Sequence, residues 1–68
     1  MTKYYWEKEL FFWCIYSELD RGMCIAMVAI HTKHTIYIWN GIDFVPQETE
    51  YDDLETAKAV AMALVAMR

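Results

Sequence analysis

Runs of aromatic and β-branched residues fill most of the first two thirds of the chain. They occupy residues 5–18, 23–31, 35–39 and 42–45, and such residues favour strands over helices. Residues 54–67 are instead rich in alanine, the best helix former. The sequence therefore predicts an α+β domain: a four-stranded antiparallel β-meander followed by one C-terminal α-helix packed on one sheet face.

Turn-forming residues separate the predicted strands. Residues 19–22 end in Gly22, which favours a left-handed backbone conformation. Asn40 and Gly41 predict a two-residue type I′ hairpin between the third and fourth strands. Pro46 is expected to end the fourth strand, because proline has no N–H to donate to a ladder.

The start of the helix is predicted from its acidic residues. Asp52 is expected to be the N-cap, with Glu55 three residues later completing a capping box. Apolar residues then recur at helical spacing and form one stripe. The members of this stripe are Leu54, Ala57, Val60, Ala61, Leu64 and Val65.

The hairpin register assigns side chains to the two sheet faces. A type I′ turn places Trp39 opposite Ile42 and Tyr37 opposite Phe44. The predicted aromatic face comprises Ile25, Met27, Ala29, Thr35, Tyr37, Trp39, Ile42 and Phe44. The predicted aliphatic face comprises Cys24, Ala26, Val28, Ile30, Ile36, Ile38, Asp43 and Val45. The first strand adds large residues to both faces in either register, and the pattern leaves open which face the helix covers.

Composition makes the uncovered face informative. The chain has 68 residues, of which 57% are hydrophobic and 16% aromatic, and one helix covers only one face of a sheet. An exposed apolar face marks an interaction site. The sequence predicts a partner-binding face that includes Met27, Tyr37, Trp39, Ile42 and Phe44. The alternative is that residues 1–9 fold back over this face as a lid.

The candidate chemical groups predict neither an enzyme nor a metal protein. Cys14 and Cys24 lie on opposite arms of a predicted hairpin, too far apart along the strands for a disulfide, which favours two reduced thiols. His31 and His34 have H-x-x-H spacing without the further ligands of a zinc site, which favours two loop histidines. Catalytic motifs and glycine-rich phosphate loops are missing from the sequence. We expect no catalytic residue, metal, cofactor or small-molecule substrate.

Negative charge is concentrated in one segment. Residues 43–55 hold six acids and no lysine or arginine, and the chain has a net charge of −4. Asp43, Glu48 and Glu50 form a candidate acidic patch that could dock on a basic groove. The alternative is a solvated connection with helix-capping charges. The net charge makes nucleic acid an unfavourable partner, because affinity for phosphates depends on clustered lysine and arginine.

Two further features concern location. The longest uncharged stretch, residues 22–32, is shorter than the roughly 20 apolar residues that a spanning helix needs. The N-terminal region has no signal-peptide pattern. We therefore expect a cytoplasmic protein without membrane contact.

The order of the predicted elements along the chain is similar to that of a known class of small proteins. A short meander followed by Tyr51-Asp-Asp-Leu-Glu-Thr-Ala-Lys-Ala-Val-Ala resembles small bacteriophage-encoded proteins, several of which inhibit host machinery, including anti-CRISPR and polymerase-binding types. The resemblance implies a non-enzymatic protein-binding module that inhibits host machinery by steric occlusion in the host cytoplasm. It transfers no functional residue. The alternative is a homodimeric structural or accessory protein whose apolar sheet or helix faces pair with themselves.

Overall fold

The fold is one antiparallel sheet and one helix. The computed structural model describes residues 3–67, without the side chains of residues 20 and 21. The elements are β1 Tyr4–Lys8, β2 Phe12–Ser17, β3 Asp20–Ala29, β4 His34–Trp39, β5 Phe44–Tyr51 and α1 Leu54–Ala66. The strands lie in the order β1-β2-β3-β4-β5. The α+β prediction is confirmed, but the sheet has five strands rather than four.

The fifth strand arises because the predicted first strand is broken at residues 9–11. Glu9 N donates to Phe12 O over 2.7 Å and closes a turn, whose apex residue Leu10 is 82% exposed. β1 pairs with β2, with Tyr5 opposite Tyr16. Residues 4–8 therefore fold back as an edge strand beside β2 instead of as a lid over a face. Residues 1 and 2 of the predicted lid lie outside the described residues.

The turn between β2 and β3 is shorter than predicted. Ser17 pairs with Asp20, and Ser17 Oγ accepts from Leu19 N at 3.1 Å. Glu18 and Leu19 alone form the turn, and β3 continues through Gly22. Gly22 lies inside β3, so the prediction that it belongs to the turn is wrong.

The turn between β4 and β5 contains four residues instead of two. Asn40 N donates to Asp43 O at 3.0 Å, and Asn40 Oδ1 accepts from the backbone N–H groups of Ile42 and Asp43 at 2.8 Å. Gly41 has φ +102°, whereas Asn40 has negative φ. A type I′ turn needs positive φ at both central residues, so that prediction is wrong. The asparagine side chain holds a longer loop instead.

The longer turn moves the pairing of β4 and β5 by two residues. Trp39 pairs with Phe44, and Tyr37 pairs with Pro46. The predicted partners, Ile42 and Phe44, are wrong. Because side chains alternate with a period of two, a two-residue shift leaves Phe44 and Val45 on their predicted faces, whereas Ile42 and Asp43 lie in the turn. Pro46 does not end the strand, since β5 lies at the sheet edge and proline is tolerated there.

The helix begins one residue later than predicted. Asp53, not Asp52, is the N-cap, and its Oδ2 accepts from Thr56 N at 2.9 Å and from Thr56 Oγ1 at 2.7 Å. The N3 residue is therefore Thr56 instead of the Glu55 of the predicted capping box. Asp52 forms an exposed ion pair with Lys33, with Nζ and Oδ1 3.4 Å apart.

The helix covers the aliphatic face of the sheet. Its alanines let it lie close to the strands, and the apolar stripe predicted from the sequence faces the core. The buried core cluster consists of Ile15, Ala26, Val28, Ile36, Ala57, Ala61 and Val65. Each of these side chains is at most 1% exposed, so this side of the sheet is the hydrophobic core of the domain.

A bulge changes the face of two residues in β3. The register of β2 and β3 shifts after Ile15, which pairs with Ala26, whereas Tyr16 pairs with Cys24. Ile25 is the extra residue and packs against the core cluster. Cys24 joins Tyr16 on the opposite face. The sequence prediction had these two positions reversed, because the pattern of apolar residues gives no sign of the bulge.

Candidate functional site

The candidate site is the sheet face opposite α1, which we call the open face. Within residues 3–67, α1 packs on the aliphatic side, and no second layer lies on this one. Strand pairing places the following residues here: Tyr5, Glu7, Phe12, Cys14, Tyr16, Cys24, Met27, Ala29, Thr35, Tyr37, Trp39, Phe44, Pro46 and Glu50. Aromatic rings are the largest group among them.

The rings of the open face are organised in pairs. The pairs are Tyr5 with Tyr16 (centroids 5.6 Å apart, stacked), Phe12 with Tyr37 (6.1 Å, edge to face), and Trp39 with Phe44 (5.0 Å, tilted). Such contacts fix ring positions. Each ring is half-buried by its neighbours alone. The face therefore presents preorganised rings with part of each surface open to a ligand.

Two thiols lie beneath these rings. Cys14 is opposite Met27 and is only 4% exposed. Cys24 is opposite Tyr16, and its Sγ donates to Ala26 O at 3.1 Å. Both thiols are free. Burial, followed by the neighbouring Cys24 thiol, raises the pKa of Cys14 to about 12, so this thiol is a poor nucleophile at neutral pH.

The open face has a negative electrostatic environment near β1. The pKa of Tyr16 is raised to about 12, mainly by partial burial and to a smaller extent by the neighbouring thiols of Cys14 and Cys24. The carboxylates of Glu9 and Glu7 then raise the pKa values of both Tyr16 and Cys14. Glu7 lies directly opposite Cys14 in the sheet. Carboxylates thus flank the rings along this edge.

The predicted acidic patch is spread along the other edge. Glu50 lies opposite Thr35 on the open face, and its Oε2 accepts from Thr35 Oγ1 at 3.3 Å. Asp43 lies in the β4–β5 turn, and Glu48 lies where the β4–β5 register is irregular. All three acids are exposed. Of the three, the strand pairing places only Glu50 beside the aromatic rings.

The predicted partner-binding residues are mostly brought together. Met27, Tyr37, Trp39 and Phe44 share the open face. Ile42 does not, because it lies in the four-residue turn and is 78% exposed. The prediction missed the rings contributed by β1 and β2, which are Tyr5, Phe12 and Tyr16. The alternation of these residues is evident in the sequence, but the sequence does not give the register in which the first strand pairs with its neighbours.

Concave features are shallow. On the open face, Met23, Cys24, Trp39 and Phe44 line a depression of about 200 Å³ at the end near Gly22. Between α1 and β5, two hollows of about 380 and 500 Å³ share Val45, Gln47 and Leu64. Small-molecule sites are deeper and enclose most of their ligand. These features fit contact with a broad surface better.

The two histidines lie in different environments. His34 is buried at the start of β4, where its Nδ1 lies 2.9 Å from Ala29 O, so the prediction of a loop position is wrong for this residue. His31 is exposed and stacks on Phe11, with centroids 6.3 Å apart. In the described part of the chain, no group of three His, Cys, Asp or Glu side chains is arranged to hold a metal ion.

The helix side also contains a cation–π contact. Trp6 of β1 and Trp13 of β2 meet edge to face, with centroids 6.4 Å apart. Lys58 of α1 places its Nζ 4.9 Å from the Trp6 ring and 3.9 Å from the Trp13 ring. Lys58 therefore packs over the tryptophans of β1 and β2, which lie outside the area that the apolar stripe of the helix covers.

Comparison with known proteins gives no relative. No family model matches the chain, and neither the curated proteins nor the solved structures contain a match. In residues 3–67 no helix is both long enough and apolar enough to cross a membrane.

Proposed function

We propose that this protein is a non-enzymatic protein-binding module and that its open face is the interface. The observation that carries the proposal is the set of three ring pairs exposed on a sheet face without a second layer. Tyrosine and tryptophan are enriched at protein interfaces, where they supply large contact areas at low conformational cost. Tyr5, Tyr16 and Tyr37 also keep a hydroxyl for polar contacts.

Steric occlusion is the proposed mode of action. The domain is small, with Cα extents of 32 × 22 × 21 Å, and its ring pairs hold the open face in a preformed shape. When the open face binds a partner, it blocks the partner surface that it covers, and no chemical step is required. We propose an inhibitor of host machinery in the host cytoplasm, as the resemblance to bacteriophage-encoded proteins implies.

Capture from cell lysate with matched variants tests the interface. Tyr37→Ser removes a ring at the centre of the open face, and Ile42→Ser removes an equally apolar but exposed turn residue off that face. We expect the protein captured by the parent to be lost with Tyr37→Ser and kept with Ile42→Ser, provided both variants retain the parent's circular dichroism spectrum. Equal capture by all three proteins would show that the open face is not the interface.

The competing function is a homodimer in which two open faces pair. The exposed ring pairs favour it equally, because they would be buried by a second copy. Solution mass at micromolar concentration separates the two functions. A dimer that Tyr37→Ser dissociates, together with no captured protein, would replace the binding proposal by self-association.

A further inference from the structure

We infer that the partner surface of the open face is cationic, with an apolar centre flanked by lysine or arginine. The inference rests on the proposed function and names the chemistry of the partner. Its basis is that carboxylates lie at both edges of the face while the described lysines lie away from its centre.

The carboxylates lie on both sides of the rings. Glu7 is opposite Cys14 in the edge strand β1, and Glu9 follows at the adjacent turn. Glu50 is opposite Thr35 in β5, the other edge strand. All three glutamates are exposed. A partner centred on the rings would meet a carboxylate at either side, so complementary charge favours a partner with basic groups at those positions.

The described lysines are placed away from the centre of this face. Lys8 is opposite Trp13, on the helix side of the sheet. Lys33 pairs with Asp52, and Lys58 lies on α1 against tryptophan rings. Lys3 is exposed and lies at the corner of the sheet before β1, where its backbone O accepts from Glu18 N at 3.0 Å. Within the described chain, the charged residues that strand pairing assigns to the open face are thus both acidic, Glu7 and Glu50.

The rings add a second attraction for cations. A lysine or arginine near an aromatic face gains cation–π energy, and the protein uses this interaction internally, with Lys58 Nζ 3.9 Å from the Trp13 ring. On the open face, half-buried rings lie next to carboxylates, as with Tyr5 and Glu7 of β1. An arginine from a partner could contact both at once.

A second copy of the chain fits this face less well. Two identical faces would bring edge carboxylates of the same sign into one interface, and each copy carries a net charge of −4. Strands about 4.8 Å apart and about 3.4 Å per residue give the face an area of about 400 Å². Two such faces would bury about 800 Å² in total, whereas permanent homodimers bury about 2,000 Å² or more in total. A face of this size suits a transient complex that charge steers.

Nuclear magnetic resonance titration with two peptides tests the inference. The first probe is a short peptide with arginines at both ends and Leu-Phe-Leu in the centre, and the second has glutamates in place of the arginines. We expect the arginine peptide to shift the backbone amide signals of open-face residues, such as Tyr37 and Met27, and the glutamate peptide to leave them unchanged. The shifts should weaken as salt rises from about 50 to about 300 mM.

Charge-neutral variants sharpen the test. Glu7→Gln with Glu50→Gln should weaken binding of the arginine peptide by about two- to fivefold for each charge. Glu55→Gln, an exposed carboxylate on α1, should leave the affinity unchanged. Equal binding of the two peptides, no binding of either, or shifts confined to the helix side would each overturn the inference.

The failures of the two proposals are distinguishable in the lysate experiment. If capture requires Tyr37 but is the same for the parent and the Glu7→Gln, Glu50→Gln variant, the cationic partner is wrong and the interface stands. If Tyr37→Ser captures as much as the parent, the interface itself is wrong.

Discussion

The two faces of one sheet carry different kinds of apolar residue. Directly beneath α1, the covered face presents branched aliphatic side chains, such as Ile15, Val28 and Ile36, which are at most 1% exposed, with tryptophan and tyrosine rings packed around them. The open face consists of rings that are only half-buried, such as Tyr37 and Trp39. Both faces are apolar by composition, yet only one is a core.

The difference follows from what each face contacts. Helix α1 presents Ala57 and Ala61 to the sheet, so it approaches closely, and branched aliphatic residues fill the narrow space between the layers. Large rings would hold the helix away. On the open face the same rings pack against one another instead, and tyrosine hydroxyls can remain hydrated. Apolar content alone does not distinguish the covered face from the open face, whereas side-chain size and polarity do.

The largest effect should come from truncating a covered side chain. Ile36→Ala leaves a cavity beneath α1 and should lower the free energy of unfolding by about 2–5 kcal/mol. Met27→Ala on the adjacent strand truncates an open-face residue that is half-buried and should cost less. Urea denaturation measures both. Equal losses would mean that the open face is packed as a core, and the contrast between the faces would fail.

Gly41 controls the register on which both faces depend. Its φ of +102° is unfavourable for side chains with a Cβ, although a Cβ there would meet no atom within 4 Å. Gly41→Val should therefore cost about 1–3 kcal/mol through backbone strain alone. Gly41→Asn is the matched control and should cost less, because asparagine tolerates positive φ. A thermal unfolding curve of Gly41→Val identical to that of the parent would contradict this account of the turn.

The cation–π contact of Lys58 is expected to stabilise the part of the covered face that the apolar stripe of α1 does not reach. Lys58→Met keeps most of the side-chain length and removes the charge above Trp6 and Trp13. We expect a loss of about 0.5–2 kcal/mol in the free energy of unfolding. Lys33→Met breaks an exposed ion pair and should cost about 0–1 kcal/mol. A larger loss in the free energy of unfolding for Lys33→Met than for Lys58→Met would contradict the expected contribution of the cation–π contact.

The smallest effect concerns the helix cap and its pH dependence. Hydrogen bonds from the Thr56 hydroxyl and amide lower the pKa of Asp53 below its usual 3.8. Because the folded-state pKa is depressed, this stabilisation is present above about pH 4 and is lost as the pH falls through the lower, folded-state value. Asp53→Asn should reduce the acid sensitivity of the melting temperature below pH 4 relative to the parent. A pH profile identical to that of the parent would contradict the assignment of Asp53 as the cap.

The sequence predicts the faces better than the turns. Alternation placed Met27, Tyr37, Trp39 and Phe44 together, and that result survived a two-residue error in register because the error was even. The β1–β2 turn was missed because residues 9–11 contain neither glycine nor proline and two of them are apolar. A turn that is fixed by backbone hydrogen bonds alone leaves little trace in composition.

Two features of the site depend on tertiary context. The bulge at Ile25 moves Cys24 to the open face, and nothing in the local pattern marks the extra residue. The choice of the covered face depends on the fit between α1 and the strands, although the alanines of the helix already favour the aliphatic side. The cationic partner inferred for the open face depends on the position of Glu7. That position could not be predicted from the sequence without the register of β1.

The position of β1 has a consequence for local stability. β1 is an edge strand whose backbone pairs with β2 alone, while Tyr4 and Trp6 pack against the core cluster and Trp6 also contacts Lys58 of α1. Such a strand can open while the other four strands remain folded. Its amides should exchange with deuterium before those of β3. When β1 opens, it uncovers the edge of β2, which then offers a free backbone ladder to another chain.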